Sequence, residues 1–197
     1  MKRGFYPKLA MTGIARNRKT YIPYILTCTG MIMMFYIVSF LSRSDTVAAM
    51  LGGDTMQGIL SLGSGVIFIF ALIFLFYTNS FLIRRRKKEF GLYNILGMGK
   101  RNLAGILVWE SVIIAALSYL GGLFCGILFS KLAELVMTRL LHGSVSFGFS
   151  VDWSAILRTL GLFAIIHCLI LLNALRQIHV SNPVELLRSE AVGEKPP

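Results

Sequence analysis

Four stretches of the chain stay apolar for longer than a soluble core helix requires: Ile22–Leu41, Ile59–Ile83, Ala104–Ser130 and Ser154–Leu175. A bilayer core about 30 Å thick takes roughly 20 apolar residues in a helix, so each stretch predicts a transmembrane helix. The first contains Cys28 and Gly30, and the second carries the unbroken block Val66–Phe76. The third holds one carboxylate, Glu110, and the fourth has Arg158 near its start and His167 inside. Between the spans the pattern changes. The leader, residues 1–21, sets Leu9, Ala10, Ile14 and Ala15 among basic residues, which predicts a short amphipathic helix on a lipid surface. Ser42–Gly58 reads as a short polar loop. Leu132, Leu135, Val136 and Leu140 keep helical spacing, so the third helix is expected to run on past the bilayer. Val145, Phe147, Phe149, Val151 and Trp153 alternate with polar residues, which predicts a short strand or extended segment. No internal repeat or linker-like tract is visible.

The basic residues give these spans a direction. Lys2, Arg3, Lys8, Arg16, Arg18 and Lys19 precede the first span; Arg84–Lys88, Lys100 and Arg101 lie between the second and third; Arg176, Arg188 and Lys195 follow the fourth. The two other connections hold only Arg43, Lys131 and Arg139. Short loops rich in Lys and Arg stay on the cytoplasmic side, so both termini and the middle loop are expected there. The first apolar run, behind a basic leader of about twenty residues, is longer than the roughly 7–15 apolar residues of a signal peptide, which predicts an uncleaved first helix.

Composition closes other routes. Of 197 residues, 55% are hydrophobic and 15% charged, against about 25% charged in an ordinary globular domain. The mean hydropathy is +0.70. A soluble enzyme and a disordered chain are both excluded. The formal charge of +11 flanks spans instead of forming a patch interleaved with aromatics, so it reports topology and anionic-lipid contact, and no nucleic-acid partner is expected.

No catalytic constellation is visible. The chain lacks the Gly-x-x-x-x-Gly-Lys-Ser/Thr phosphate loop and is not expected to be an ATPase of that type. Cys28, Cys125 and Cys168 fall one per helix and read as small buried residues, with neither metal nor disulfide spacing. His167 and Cys168 lack a local third ligand, so no metal site is expected. Glu110, an ionisable group inside a span, is either a functional residue or a side chain reaching back to the basic surface. Gly121, Gly122 and Gly126 include a Gly-x-x-x-Gly spacing that admits a close helix neighbour, and Gly63 and Gly65 are read the same way.

Two segments on the basic side are more informative. Glu89-Phe90-Gly91-Leu92-Tyr93-Asn94-Ile95-Leu96 is too apolar for a solvated loop and too short to span. It predicts a short helix, closed by Gly97 and Gly99, that lies on lipid or enters a groove on a soluble partner. In Ser181–Arg188, Asn182 suits an N-cap, Pro183 the first helical position and Glu185 the reciprocal capping position. The expected fold is therefore all-α: a polytopic membrane protein with four transmembrane helices, an N-terminal amphipathic helix and two short cytoplasmic coupling helices.

At these segments the chain resembles the FtsX-like permease family of ABC transporters, within it the N-terminal half of the bacitracin-export permeases. The resemblance rests on Asn79–Met98, with its basic cluster followed by Glu89, Gly91, Leu92 and Leu96-Gly97, and on Asn182-Pro183-Val184-Glu185-Leu186-Leu187. It covers a permease unit at about residues 58–188, with 189–197 a tail whose Pro196-Pro197 reads as an interruption. The resemblance implies a bacterial plasma-membrane protein with no enzymatic activity of its own. A separate ABC ATPase, a homodimer using ATP and Mg, would bind Glu89, Phe90, Gly91, Leu92, Tyr93, Leu96, Asn182, Pro183, Glu185, Leu186 and Leu187. Such permeases resist peptide antibiotics by freeing or shielding lipid targets, and some signal to a histidine kinase. The outer domain and C-terminal permease half of similar proteins are not expected within residues 1–197. Two further readings compete: a stand-alone four-span regulatory or scaffold protein sensing the envelope, and an intramembrane enzyme using Glu110 and His167.

Overall fold

The computed structural model describes residues 5–95, 97–140 and 151–180, which form six helices. Helices α1 (Phe5–Arg16) and α2 (Arg18–Leu41) meet at Asn17, and the single turn α3 (Asp45–Ala48) leads from α2 to α4 (Gly53–Ile95). Helices α5 (Lys100–Leu140) and α6 (Trp153–Val180) complete the unit. There is no strand among the described residues. Four helices are long and apolar enough to cross a bilayer, over Arg18–Leu41, Gly53–Arg86, Lys100–Leu140 and Trp153–His179. The all-α, four-span architecture predicted by the hydrophobic pattern is the one observed.

Several boundaries differ from expectation, each for a local reason. With 43 and 41 residues, α4 and α5 are about 65 and 62 Å long, roughly twice the bilayer core. The overrun of α5 to Leu140 follows from its spaced leucines. Instead of a separate helix after Ile83, the backbone continues as α4 to Ile95, because Arg, Lys, Glu and Leu are strong helix formers and outweigh the single glycine, Gly91, among them. Gly97, at φ +88°, closes that end. The expected 42–58 loop is largely helical, since α3 and the first turns of α4 lie within it. Gly53 permits their contact: a Cβ there would sit 2.3 Å from the Val47 carbonyl oxygen. Of the expected strand, 144–150 lie outside the described residues, Val151 and Asp152 are irregular, and Trp153 opens α6.

The two ends of the bundle are defined by polar contacts. At one, Tyr6 donates to Asn102 at 3.0 Å and Lys100 to the His179 carbonyl at 2.9 Å, joining α1, the start of α5 and the end of α6. At the other, Ser44 donates to Glu134 at 2.5 Å and Gln57 to the Ser44 carbonyl at 3.0 Å. Successive spans therefore alternate in direction, and Lys19, Arg84–Arg86 and Lys100 share one end, called the basic end below.

Helix α2 is the hub, packing most extensively on α5 and then on α4 and α6. Along α5 the buried residues recur every fourth position: Ile106, Glu110, Ile114, Ser118, Gly122, Gly126, Ser130, Glu134 and Thr138. On α2 the matching buried ridge is Tyr24, Cys28, Ile32, Tyr36 and Phe40. The two parallel ridges meet at a nearly constant offset. A Cβ on Gly122 would lie 2.7 Å from Ile32, one on Gly126 3.0 Å from Tyr36, and one on Gly121 3.3 Å from Thr29. Small residues thus let α5 approach α2 closely enough for its large side chains to fit, as the Gly-x-x-x-Gly spacing predicts. Gly63 makes only ordinary contact with Val38 and Gly65 faces open space, so these two glycines do not admit a close helix neighbour. Of the cysteines, Cys28 is buried and Cys125 half-buried, while Cys168 is exposed on the outer face of α6, contrary to the expectation of three buried thiols.

Candidate functional site

A cluster of buried charged and polar side chains lies at the basic end. Glu110 lies ten residues into α5, about 15 Å from its start. Opposite stands Arg86 of α4, which donates from its terminal guanidinium nitrogen to both Glu110 Oε2 and the Tyr21 hydroxyl. Tyr21 donates to the same Glu110 oxygen at 3.1 Å. The other side of the guanidinium, Nε, bonds Glu89 Oε2 at 3.1 Å, and Asn17 at the α1–α2 junction donates to Glu89 Oε1 at 2.7 Å. The Arg86 guanidinium also lies over the Tyr21 ring, 5.4 Å from its centroid. One arginine thus ties together α2, α4, α5 and the turn that joins α1 to α2.

Burial decides what this arrangement is for. The side chains of Arg86 and Glu110 are 6% and 3% exposed, whereas Glu89 is 28% exposed. A charge in hydrocarbon is tolerated only with a partner, and here two carboxylates and a phenol surround one guanidinium. Gly13 of α1 closes the cluster, since a Cβ there would be 3.1 Å from Glu110 Oε1. Among the described residues, that oxygen and Asn79 Nδ2 are both buried without a hydrogen-bond partner. Both residues line a cavity of about 20 Å³, room for one water.

The positions predicted from sequence divide accordingly. Glu110 is central to the network, paired with one arginine of the basic cluster that is drawn inward. Glu89 joins it. Gly91 is buried and Leu92 exposed along the last turns of α4. The backbones of Phe90 and Tyr93 belong to α4, while Leu96, Asn182, Pro183, Glu185, Leu186 and Leu187 fall outside the described residues. His167 is not brought to Glu110. Its ring lies tilted against that of Tyr119, 5.5 Å away and more than two turns further along α5, with Nδ1 at 2.9 Å from the Phe163 carbonyl, so the two residues stand apart. Among the described residues no three His, Cys, Asp or Glu side chains converge as a metal site would require.

Sequence reasoning missed Arg86, Tyr21, Asn17 and Gly13. A signal for Arg86 exists: it continues the buried phase of α4 through Ala71, Leu75, Asn79 and Leu82, while Arg84 and Arg85 fall on exposed phases.

At the opposite end an open cavity of about 820 Å³ lies between α3, α5 and the start of α6, with Ser44, Asp45, Gln57, Glu134 and Asp152 on its walls. Glu134 is held there by Lys131 at 2.7 Å and by Ser44. Asp152 caps α6 by accepting from the Ser154 N–H at 2.8 Å. Burial raises the Asp152 carboxyl, but the capping hydrogen bonds and the Arg158 charge outweigh it and hold the group below the usual carboxylate range.

Four spans and a charge network buried among them describe a polytopic membrane protein. The FtsX-like permease C-terminal family matches residues 61–183, more than half of the chain. The chain belongs to the FtsX-like permease family of ABC transporter permeases. It is similar to the uncharacterized ABC transporter permease YvcS of Bacillus subtilis (strain 168), at 31% identity over 183 residues, 92% of this chain and 28% of that protein. It is also similar to the bacitracin export permease protein BceB of Halalkalibacterium halodurans, at 28% identity over 166 residues, 83% of this chain and 25% of that protein. The BceB of Bacillus subtilis is 23% identical over 165 residues, 84% of this chain and 26% of its own length. The chain spans about a quarter of the length of the relatives it matches.

Proposed function

We propose that this chain is the membrane-embedded coupling unit of an ABC transporter, lying in a bacterial plasma membrane with its basic end toward the cytoplasm. The part of α4 beyond Arg86 is the lever on which a separate ATP-hydrolysing subunit, itself a homodimer, acts; the 182–187 segment is its second contact. The observation that carries this reading is the Arg86 network at the base of that lever. A push on Glu89–Ile95 reaches Arg86 within one turn, and through it Glu110 of α5, Tyr21 of α2 and Asn17. The cargo reading is antimicrobial-peptide resistance or release of a lipid target, supported by relatives named bacitracin export permeases. A histidine kinase is a further partner of this proposal.

The test is co-purification. An affinity-tagged chain expressed with the ATPase subunit of its transporter is expected to retain that subunit. The double substitution Leu92→Asp/Tyr93→Asp should cut recovery at least tenfold, while Lys131→Gln, at the opposite end, should leave it unchanged. Undiminished recovery by the folded double variant would remove α4 as the contact.

A further inference from the structure

Between α2 and α4, at the basic end, a lateral groove of about 190 Å³ is lined by Lys19, Thr20, Tyr24, Thr78, Phe81 and Arg85, among others. Its rim is cationic. Lys19 and Arg85 are both exposed, and among the described residues neither takes part in an ion pair; Glu89 and Glu110, the nearest carboxylates along α4 and α5, are committed to Arg86. Arg85 is held at the edge by the Phe81 ring, 4.7 Å from its centroid. Eight residues further along α2, about 12 Å deeper, the groove has changed character. Thr27 and Thr78 donate their hydroxyl protons to the Pro23 and Phe74 carbonyls, both at 2.8 Å, so both hydroxyl protons are committed within their own helices. Tyr24 and Leu82 form the buried floor, and Pro23 and Phe81 are exposed at the sides, facing the hydrocarbon.

From this juxtaposition we infer that the α2–α4 groove is a binding site for an anionic glycerophospholipid, its phosphate between Lys19 and Arg85 and its acyl chains along Thr27 and Thr78. A soluble anion would find charge at the rim, but the deeper threonine hydroxyls already donate within their own helices and the groove has no wall on the lipid side. An amphiphile matches both halves. Basic pockets between transmembrane helices at a membrane face hold lipid headgroups by this division of labour. The inference rests on the chain being embedded in a membrane and is independent of any ATPase contact.

The experiment is native mass spectrometry of the detergent-solubilised full chain titrated with phosphatidylglycerol or phosphatidylcholine. The wild type is expected to retain one phosphatidylglycerol in preference to phosphatidylcholine. Each basic group near a lipid surface contributes about a fivefold factor, so Lys19→Gln/Arg85→Gln should weaken phosphatidylglycerol roughly 25-fold. Arg84→Gln/Arg101→Gln, which removes equal charge outside the groove, should change it less than twofold. Thr27→Phe keeps both cations but fills the deep half, and should also lower retention at least fivefold. The site is overturned if the wild type shows no preference, if the two charge pairs have equal effects, if Thr27→Phe binds as wild type, or if millimolar inorganic phosphate displaces the lipid. Helicity by circular dichroism confirms that each variant is folded.

Discussion

Replacing Arg86 with methionine keeps the length and apolar stem of the side chain and deletes its charge. Glu110 is then left 3% exposed with one hydrogen bond, from Tyr21, and with Oε1 still unpartnered. Removing one member of a buried pair costs about 3–5 kcal/mol, chiefly from the charge left behind. Arg86→Met should therefore lower stability by about 4 kcal/mol. Glu110→Gln is milder. Arg86 would keep Glu89 at 3.1 Å and the Tyr21 hydroxyl, and the amide oxygen would still accept, so the loss is that of one charged hydrogen bond, about 2 kcal/mol. The double variant Arg86→Met/Glu110→Met leaves no stranded charge and should approach the wild type, since buried ion pairs exchanged for apolar residues of similar volume are often neutral. The assay is unfolding of the purified chain in mixed micelles titrated with SDS, followed by far-ultraviolet circular dichroism. If Arg86→Met falls within about 0.5 kcal/mol of the wild type, as an ordinary surface substitution does, the network does not secure the bundle. Strict additivity in the double variant would show equally that the pair is uncoupled.

Gly122→Leu should destabilise the chain by about 1–3 kcal/mol, because its Cβ would fall 2.7 Å from Ile32 and 3.0 Å from the Thr29 carbonyl oxygen; Gly65→Leu, in open space, should be neutral in the same titration. Tyr21→Phe should cost about 1 kcal/mol and leave the fold intact, as thermal unfolding would show. Asp152→Ala should lose the α6 cap, about 1 kcal/mol at neutral pH. Because the folded carboxyl titrates below its unfolded value of about 3.9, that contribution is complete above the unfolded pKa and vanishes as pH falls through the folded one. The wild type and Asp152→Ala should therefore converge in stability at strongly acidic pH.

The spans were legible because hydrocarbon leaves the backbone little choice: every polar group must be satisfied inside the helix, and long apolar runs follow. The small-residue approach at Gly121, Gly122 and Gly126 was legible in kind but not in partner, since such a face admits any neighbouring helix. The end of α4 was misjudged because the change from apolar to basic residues marks the edge of the bilayer and not the end of a helix. Arg86 was hidden by its neighbours. Five consecutive cations look alike in sequence, and only the phase of α4 separates the one that turns inward from those that meet water. Tyr21 was hidden differently, by lying where the leader and the first span had to be divided.

The parallel contact of α2 and α5 has a mechanical consequence. Ridges that repeat every fourth residue could mate again after one helix slid about 6 Å, with Gly122 against Tyr36 in place of Ile32. That slip would pull Glu110 away from Arg86 and Tyr21 at one end and Glu134 away from Ser44 at the other, stranding carboxylates at both. The seam therefore has a single register, and α2 and α5 travel as one strut. Any displacement of α4 against that strut has first to break the Arg86–Glu110 pair.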